Sequence, residues 1–264
     1  MKKTLYLIIV IIVMVSFGQL IPPDNYTEGG EKKFGSYNVK NGKFQNLVET
    51  EFTEDKKIGI EDIKNYIEVT LPDKYKKMIY SLEIMTDGEG GNDAYVYMDN
   101  LHSKDWVICV DYIDVFDSSG DFSNDFGEII AHETMHIITL NDTQIDNNSG
   151  EDTYVADEGK LKKDSTLNTF YEKFWKENMD IHESFMKLGE DLGTVEYFKE
   201  YPDTFVTSYA AINPEEDIAE SFAYFVTWDK PTGGKIYEQK ILFFYDYPEL
   251  LEIRKQMRIA INNI

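Results

Sequence analysis

The chain has 264 residues, of which 42% are hydrophobic and 14% are aromatic, so it can bury a core and is not disordered throughout. This length suits one large domain or two small ones. Acidic residues outnumber basic ones by 49 to 26, which gives a net charge of −23. Because binding to nucleic acid needs clustered lysine and arginine, which this sequence lacks, the composition argues against nucleic acid as a partner.

The first 19 residues are typical of a secretory signal peptide. Two lysines precede an apolar run at 5–15, and the small residues Ser16 and Gly18 follow it. The alternative is an uncleaved membrane anchor, but the apolar run is short for a bilayer span. We therefore expect a secreted protein, free or associated with the cell surface, that touches a membrane only if the signal stays uncleaved.

The next segments predict a linker, two helices and a small sheet. Residues 20–41 are polar and rich in glycine and lysine, which predicts a flexible linker before a folded domain at 42–264. Apolar residues at helical spacing in 58–67 predict one helix, and Pro72 stands near the start of another. Three apolar segments then predict strands: 81–87, 94–100 and 105–116.

The segment 121–141 is the strongest helix candidate, and Ser123 or Asn124 can cap its first turn. The acidic segment 141–160 is expected to be a solvated loop and not a calcium-binding loop, because Gly150 is not at the required sixth position from Asp146. Helical spacing returns at 168–200. Two later helices are predicted in the second half of 203–228 and around 250–261.

Within the strongest helix, His132, Glu133 and His136 form the pattern His-Glu-x-x-His. Residues four apart share one helix face, so both imidazoles can bind one zinc ion at ~2.0–2.1 Å. Glu133 is rotated about 100° from His132, so it flanks the metal without binding it. There it can take a proton from a water molecule whose pKa zinc lowers to about 7.

The alternative is two histidines that share a helix by chance. The helix is apolar over much of its circumference, which predicts burial. Burying two histidines and a glutamate costs several kcal/mol unless something pairs with them, and a metal ion does so. We therefore favour zinc. The other two histidines, His102 and His182, do not repeat the pattern and are expected at the surface.

A catalytic zinc needs a third protein ligand and an open position. The segment NPEEDIAESFAYF offers Glu216 and Glu220, four apart on one helix face, with Ala219 and Ala223 beside them to allow close packing. One glutamate can bind zinc while the other accepts the free N–H of a ligand histidine. For Glu216, the alternative is a capping box with Asn213.

The segments HETMH and YAAINPEEDIAESF together resemble the gluzincin metallopeptidases related to anthrax lethal factor and the clostridial Pro-Pro endopeptidases. The resemblance lies in 128–140 and 205–225 and is diffuse elsewhere. It implies that Glu216 binds zinc, that Glu220 supports a ligand histidine, and that the Tyr209 hydroxyl stabilises the oxyanion. The alternative for Tyr209, one of 18 tyrosines, is a packed side chain.

The resemblance also implies an α+β, zincin-like fold. A small twisted sheet at roughly 81–116 would pack on the active-site helix, followed by a mainly helical C-terminal part. Similarity to zincins further implies that an edge strand, with 94–100 as the candidate, holds the substrate extended. The gap between His136 and Glu216 is longer than in small family members, so we interpret 145–200 as an insert that could wall or cover the cleft.

The predicted function is a secreted endopeptidase with one Zn²⁺ per chain, which hydrolyses protein or peptide substrates with Glu133 as general base. Two alternatives stay open. One is a secreted toxin or effector protease that needs a delivery partner. The other is a non-catalytic extracellular protein that binds zinc; it is less favoured, because structural zinc sites usually contain cysteine and Cys109 is the only one.

Overall fold

The computed structural model describes residues 32–49, 54–88, 91–98, 105–148, 150 and 152–262. The predicted signal peptide at 1–19 and the surface position expected for His102 lie outside these residues. No helix within the described ranges has the length and apolar character needed to cross a bilayer.

Five strands form one mixed sheet in the order β2-β1-β3-β5-β4. The strand β3 pairs with β5 in parallel, and the other pairs are antiparallel. The three strands predicted from the sequence are thus confirmed as β3, β4 and β5, and β4 lies at an edge of the sheet. The strands span β1 Lys32–Lys40, β2 Lys43–Glu49, β3 Ile79–Thr86, β4 Ala94–Met98 and β5 Trp106–Asp111.

The prediction of a flexible linker at 20–41 is wrong for residues 32–40, which form β1. In β1, Phe34, Tyr37 and Val39 are buried. Asn41 and Gly42 both have positive φ, 53° and 75°, as a two-residue hairpin turn requires, and they join β1 to β2. The Asn-Gly pair was therefore the signal of a hairpin, and the folded region includes residues before 42.

Nine helices and a short hairpin complete the described chain. This mixed content confirms the coarse α+β class. The hairpin lies within the acidic segment expected to be a solvated loop, so that expectation is wrong for the two strands of the hairpin. The elements are α1 Glu54–Thr70, α2 Asp73–Lys76, α3 Phe126–Leu140, β6 Val155–Ala156, β7 Gly159–Lys160, α4 Thr166–Phe174, α5 Met179–Met186, α6 Glu190–Glu200, α7 Pro214–Thr227, α8 Ile236–Phe243 and α9 Pro248–Ile261.

The helix α3 is central to the molecule, and it packs against α7 and the edge strand β4. Thirteen of its 15 residues are buried, which confirms the prediction made from its apolar circumference. The predicted cap is wrong: the N-cap is Asp125, and its side chain makes no capping hydrogen bond. The backbone N–H of Ser123 instead donates a hydrogen bond to the carbonyl of Val115, in the segment between β5 and α3.

The expectation that His182 lies at the surface is also wrong, since its side chain is only 6% exposed. Its ring lies between Trp175 and Tyr197, with centroid distances of 5.1 and 5.2 Å. The two aromatic neighbours come from before α5 and from α6, so the contact depends on how these segments fold together. Burial lowers the pKa of His182, and the nearby backbone of Ile212 and Ala211 opposes this only in part.

This buried imidazole predicts a pH dependence of stability. Because its folded pKa lies below 6.5, His182 takes up a proton less readily in the folded protein than in the unfolded chain, where it does so near the ordinary pKa of 6.5. The contribution of His182 to stability is therefore present above about pH 6.5 and is lost as the pH falls below it. His182→Phe keeps the ring packing and removes the titrating group. Between pH 7 and pH 5, the unfolding temperature of this variant should therefore fall less than that of the wild type. An identical fall in the wild type and the variant would contradict this assignment.

Candidate metal centre

The candidate centre forms where α7 crosses α3. Asn213 caps α7 by accepting a hydrogen bond from the Glu216 N–H at 2.7 Å, and Pro214 occupies its first turn, as the sequence predicts. Ala219 and Ala223 are both buried on α7, and their small side chains allow a close approach. The cap uses the backbone N–H of Glu216 and not its carboxylate, so the carboxylate remains available to the histidines of α3.

Two imidazole nitrogens and one carboxylate oxygen converge between the two helices. The Nε2 atoms of His132 and His136 are 3.0 Å apart. The Oε2 atom of Glu216 lies 3.1 Å from the first nitrogen and 3.5 Å from the second. The structure thus brings together the three predicted ligands, in a group that could hold a metal ion.

The contacts around these atoms fit a cation. Glu216 Oε2 is buried and makes no hydrogen bond that satisfies it. The two facing imidazole nitrogens can share at most one favourable N–H···N contact, because one nitrogen must then act as the acceptor. A metal ion at the point where the three atoms converge would satisfy all three lone pairs together.

The charges around the histidines also favour a cation. Burial lowers the pKa of His132, but Glu216, Glu220 and Glu133 outweigh burial and hold that pKa well above 6.5. The pKa of His136 is raised for the same reason, against burial and the charge of His132. Burial opposes ionisation of Glu216, yet both histidines hold the pKa of its carboxyl below the ordinary value. The surrounding carboxylates therefore stabilise positive charge here.

Glu220 contacts the far side of the His132 ring, as the resemblance implies. Its Oε1 atom lies 2.8 Å from His132 Nδ1, so Nδ1–H can donate to it and leave Nε2 free to bind a metal. Its Oε2 atom accepts a hydrogen bond from the Thr207 hydroxyl at 2.6 Å. Thr207 also accepts the N–H of Ala210, which fixes the turn before α7. The sequence analysis missed Thr207, since no motif spacing marks it.

Glu133 lies beside the convergent group and outside it. Its carboxylate is buried, and its Oε1 atom is 4.0 Å from His132 Nε2. Burial raises the pKa of Glu133, and the charges of Glu216 and Glu220 raise it further against the two histidines. A carboxyl group with a raised pKa at this distance is suited to take up a proton.

Tyr209 begins a short 3₁₀ turn, Tyr209–Ala211, directly before α7. Its ring centroid is 5.8 Å from that of His132. Burial raises the pKa of Tyr209 well above 10, and the charges of Glu216 and Glu133 add to this effect. The hydroxyl therefore keeps its proton and can act as a hydrogen-bond donor. The structure places Tyr209 at the candidate centre, together with the other predicted site residues.

Buried polar contacts anchor α7 to its surroundings. Asp217 and Lys240 form an ion pair with both side chains fully buried. The indole N–H of Trp175 donates to Asp217 at 2.7 Å. The neighbouring Glu215 accepts a hydrogen bond from the Tyr154 hydroxyl at 2.9 Å. These contacts, on both sides of Glu216 in sequence, fix the position from which its carboxylate faces α3.

A second carboxylate group, Asp87, Asp111 and Asp114, has ligand atoms close enough for a metal ion. Asp111 already accepts the backbone N–H of Asp87 at 2.8 Å and of Ile113 at 2.7 Å. The bond from Asp87 links the end of β3 to that of β5, and the bond from Ile113 closes the turn after β5. The structure therefore explains this aspartate without a metal ion.

Comparison with known proteins gives no match. No family model, no curated protein and no solved structure matches this chain. Functional inference therefore depends on the chemistry of the site itself.

Proposed function

We propose that this protein is a secreted zinc-dependent endopeptidase with a zincin-like fold, of the gluzincin type. The observation that carries the proposal is the convergence of His132 Nε2, His136 Nε2 and Glu216 Oε2 beside the unligated carboxylate of Glu133. In this arrangement three groups can bind a metal, and a fourth, the Glu133 carboxylate, remains able to accept a proton.

The ligand set favours zinc over calcium and magnesium. Two imidazoles and one carboxylate are typical of catalytic zinc, whereas calcium and magnesium prefer oxygen ligands. Three protein ligands leave a position for water or substrate. A structural zinc site usually contains cysteine, but Cys109 does not lie at this centre. It packs with Met85, Tyr97 and Val107 in a separate apolar cluster.

When bound, zinc supplies a Lewis acid that polarises the scissile carbonyl and lowers the pKa of a water molecule to about 7. Glu133 then takes the proton of the attacking water and returns it to the leaving amine. The hydroxyl of Tyr209 donates a hydrogen bond to the oxyanion that forms as the carbonyl is attacked. Glu220 and Thr207 hold the His132 ring in the orientation and tautomer that this chemistry needs.

The arrangement of β4 supports the choice of a peptide substrate. This strand lies at the edge of the sheet and packs against α3, the helix that carries Glu133. An extended peptide can add to such an edge through backbone hydrogen bonds, which would bring its scissile bond past the centre. The zincin-like character of the fold is proposed on this geometry and on the resemblance of the two motif segments.

A peptide-library digest tests the proposal. Purified protein with measured metal content should cleave internal peptide bonds, lose activity with a chelator, and recover it when Zn²⁺ is restored. Cleavage of extracellular peptides without any delivery partner would argue against the toxin alternative. A protein that binds about one zinc per chain and yet cleaves no peptide would contradict the proposal and favour a zinc-binding role.

The proposed role of Tyr209 gives a separate prediction. Tyr209→Phe removes one donor to the oxyanion, which typically costs about 10²–10³-fold in kcat. KM should change little, because this hydrogen bond forms mainly in the transition state. Steady-state kinetics measure both effects. Tyr224→Phe, on α7, is the matched control. An unchanged kcat for Tyr209→Phe would show that the side chain only packs.

A further inference from the structure

A pocket of about 290 Å³ lies at the C-terminal end of α3. Its apolar wall contains Met98, the last residue of β4, and Leu140, one helical turn after His136. Its polar wall contains Glu158, from the β6–β7 turn within the segment predicted as an insert. The pocket therefore lies between the edge strand, the helix of the candidate centre and the insert.

Glu158 is the unusual residue of this pocket. Both of its carboxylate oxygens are buried, and neither receives a hydrogen bond from another residue that the structure describes. A buried carboxylate without a partner costs free energy, so a site of this kind favours a ligand that supplies the missing donors. No other residue within the described ranges donates a hydrogen bond to this carboxylate, whereas Glu215 accepts one from the Tyr154 hydroxyl.

We propose that this pocket is a specificity subsite for a cationic side chain, lysine or arginine, of the peptide substrate, with Glu158 as its counter-ion. The inference rests on the proposed endopeptidase function and adds the substrate class. Lysine and arginine carry an aliphatic stem and a charged head. The stem would pack on Met98 and Leu140, while the head would donate hydrogen bonds to Glu158.

The surrounding charge favours the same ligand. Asp142 and Asp146 also line the pocket, so three acidic side chains surround one cavity. Negative charges that line a concave site raise the local concentration of cations. Burial raises the pKa of Glu158 to about 7, and Asp157 and Glu216 add to this effect. A bound cation would hold this carboxyl in its ionised form.

The position of Glu158 links the pocket to the candidate centre. The charges of His136 and Glu216 both act on the pKa of Glu158, so the pocket is within electrostatic reach of the proposed ligands. A substrate strand along β4 would reach Met98 at the end of the strand, where the pocket begins. The terminal torsion of glutamate is broad, so a small rotation can turn a covered oxygen towards the pocket.

The test compares peptides that differ only in charge. Lysine is moved through each position around the cleaved bond of a good substrate, and norleucine replaces it in the matched peptides. The wild type should prefer the lysine peptide in kcat/KM at one position by about 10–100-fold, the usual effect of a hydrogen bond to a charged group. Glu158→Gln should abolish this preference. Asp157→Asn, an exposed neighbour that loses the same charge, should keep it.

Binding separates this inference from the proposed catalysis. The Glu133→Gln variant, loaded with zinc, should bind the lysine peptide about 10–100-fold more tightly than the norleucine peptide in calorimetry. This preference should persist even if the wild type cleaves nothing, in which case the endopeptidase proposal alone would fall. Equal cleavage and equal binding of the two peptides would overturn the subsite, as would a preference that survives Glu158→Gln.

Discussion

Glu133→Gln is expected to keep the metal and the fold and to lose nearly all turnover. Glu133 lies outside the three-atom group that could hold the metal, so an amide of the same shape leaves that group intact. The amide cannot accept the proton of the attacking water. General bases contribute about 10²–10⁴-fold, so kcat should fall by at least this range. Metal analysis and kinetics on the same sample measure the two effects.

Glu128→Gln is the matched control, because Glu128 lies on the same helix and accepts a hydrogen bond from the Thr227 hydroxyl, away from the candidate centre. This variant should cleave peptides at a rate close to that of the wild type. If Glu133→Gln also cleaved at the wild-type rate, the general-base mechanism would be wrong. The hydrolytic activity would then come from another group, and the proposed centre would only bind zinc.

The features that the sequence predicts well depend on residues close together in the chain. The spacing of His132 and His136 on one apolar helix predicts both their common face and their burial. The pair Asn213 and Pro214 predicts where α7 begins, and this fixes the face that carries Glu216. In each case a local rule of helix geometry is sufficient, because the neighbours that matter are within one or two turns.

The features that the sequence does not predict depend on contacts between distant segments. The contact between Thr207 and Glu220 requires a turn to fold back on α7. Glu158 comes within electrostatic reach of His136 and Glu216 only through the hairpin of the insert. His182 is buried because α5 and α6 bring aromatic rings around it. The strand β1 was missed for another reason, since its lysines and glycine obscured the alternation of buried residues.

Glu216→Ala should remove the metal from the folded protein. It deletes one of three convergent ligands and leaves only two imidazoles for the ion. A metal that binds only the folded state stabilises it, by about 4 kcal/mol when free metal exceeds its Kd 1,000-fold. Added Zn²⁺ should therefore raise the unfolding temperature of the wild type and leave that of Glu216→Ala nearly unchanged. Zinc titration and thermal unfolding measure the two effects.

Glu220→Ala should behave differently, because Glu220 contacts His132 Nδ1 and not the convergent atoms. Loss of such a supporting carboxylate usually weakens metal affinity by ~10–100-fold, so this variant should still bind Zn²⁺ when the metal is in excess. Its unfolding temperature should rise with added Zn²⁺, at higher concentrations than for the wild type. If instead Glu220→Ala lost the metal and Glu216→Ala kept it, Glu220 would be the ligand. The main role of Glu216 would then be in the helix cap, where its N–H donates a hydrogen bond to Asn213.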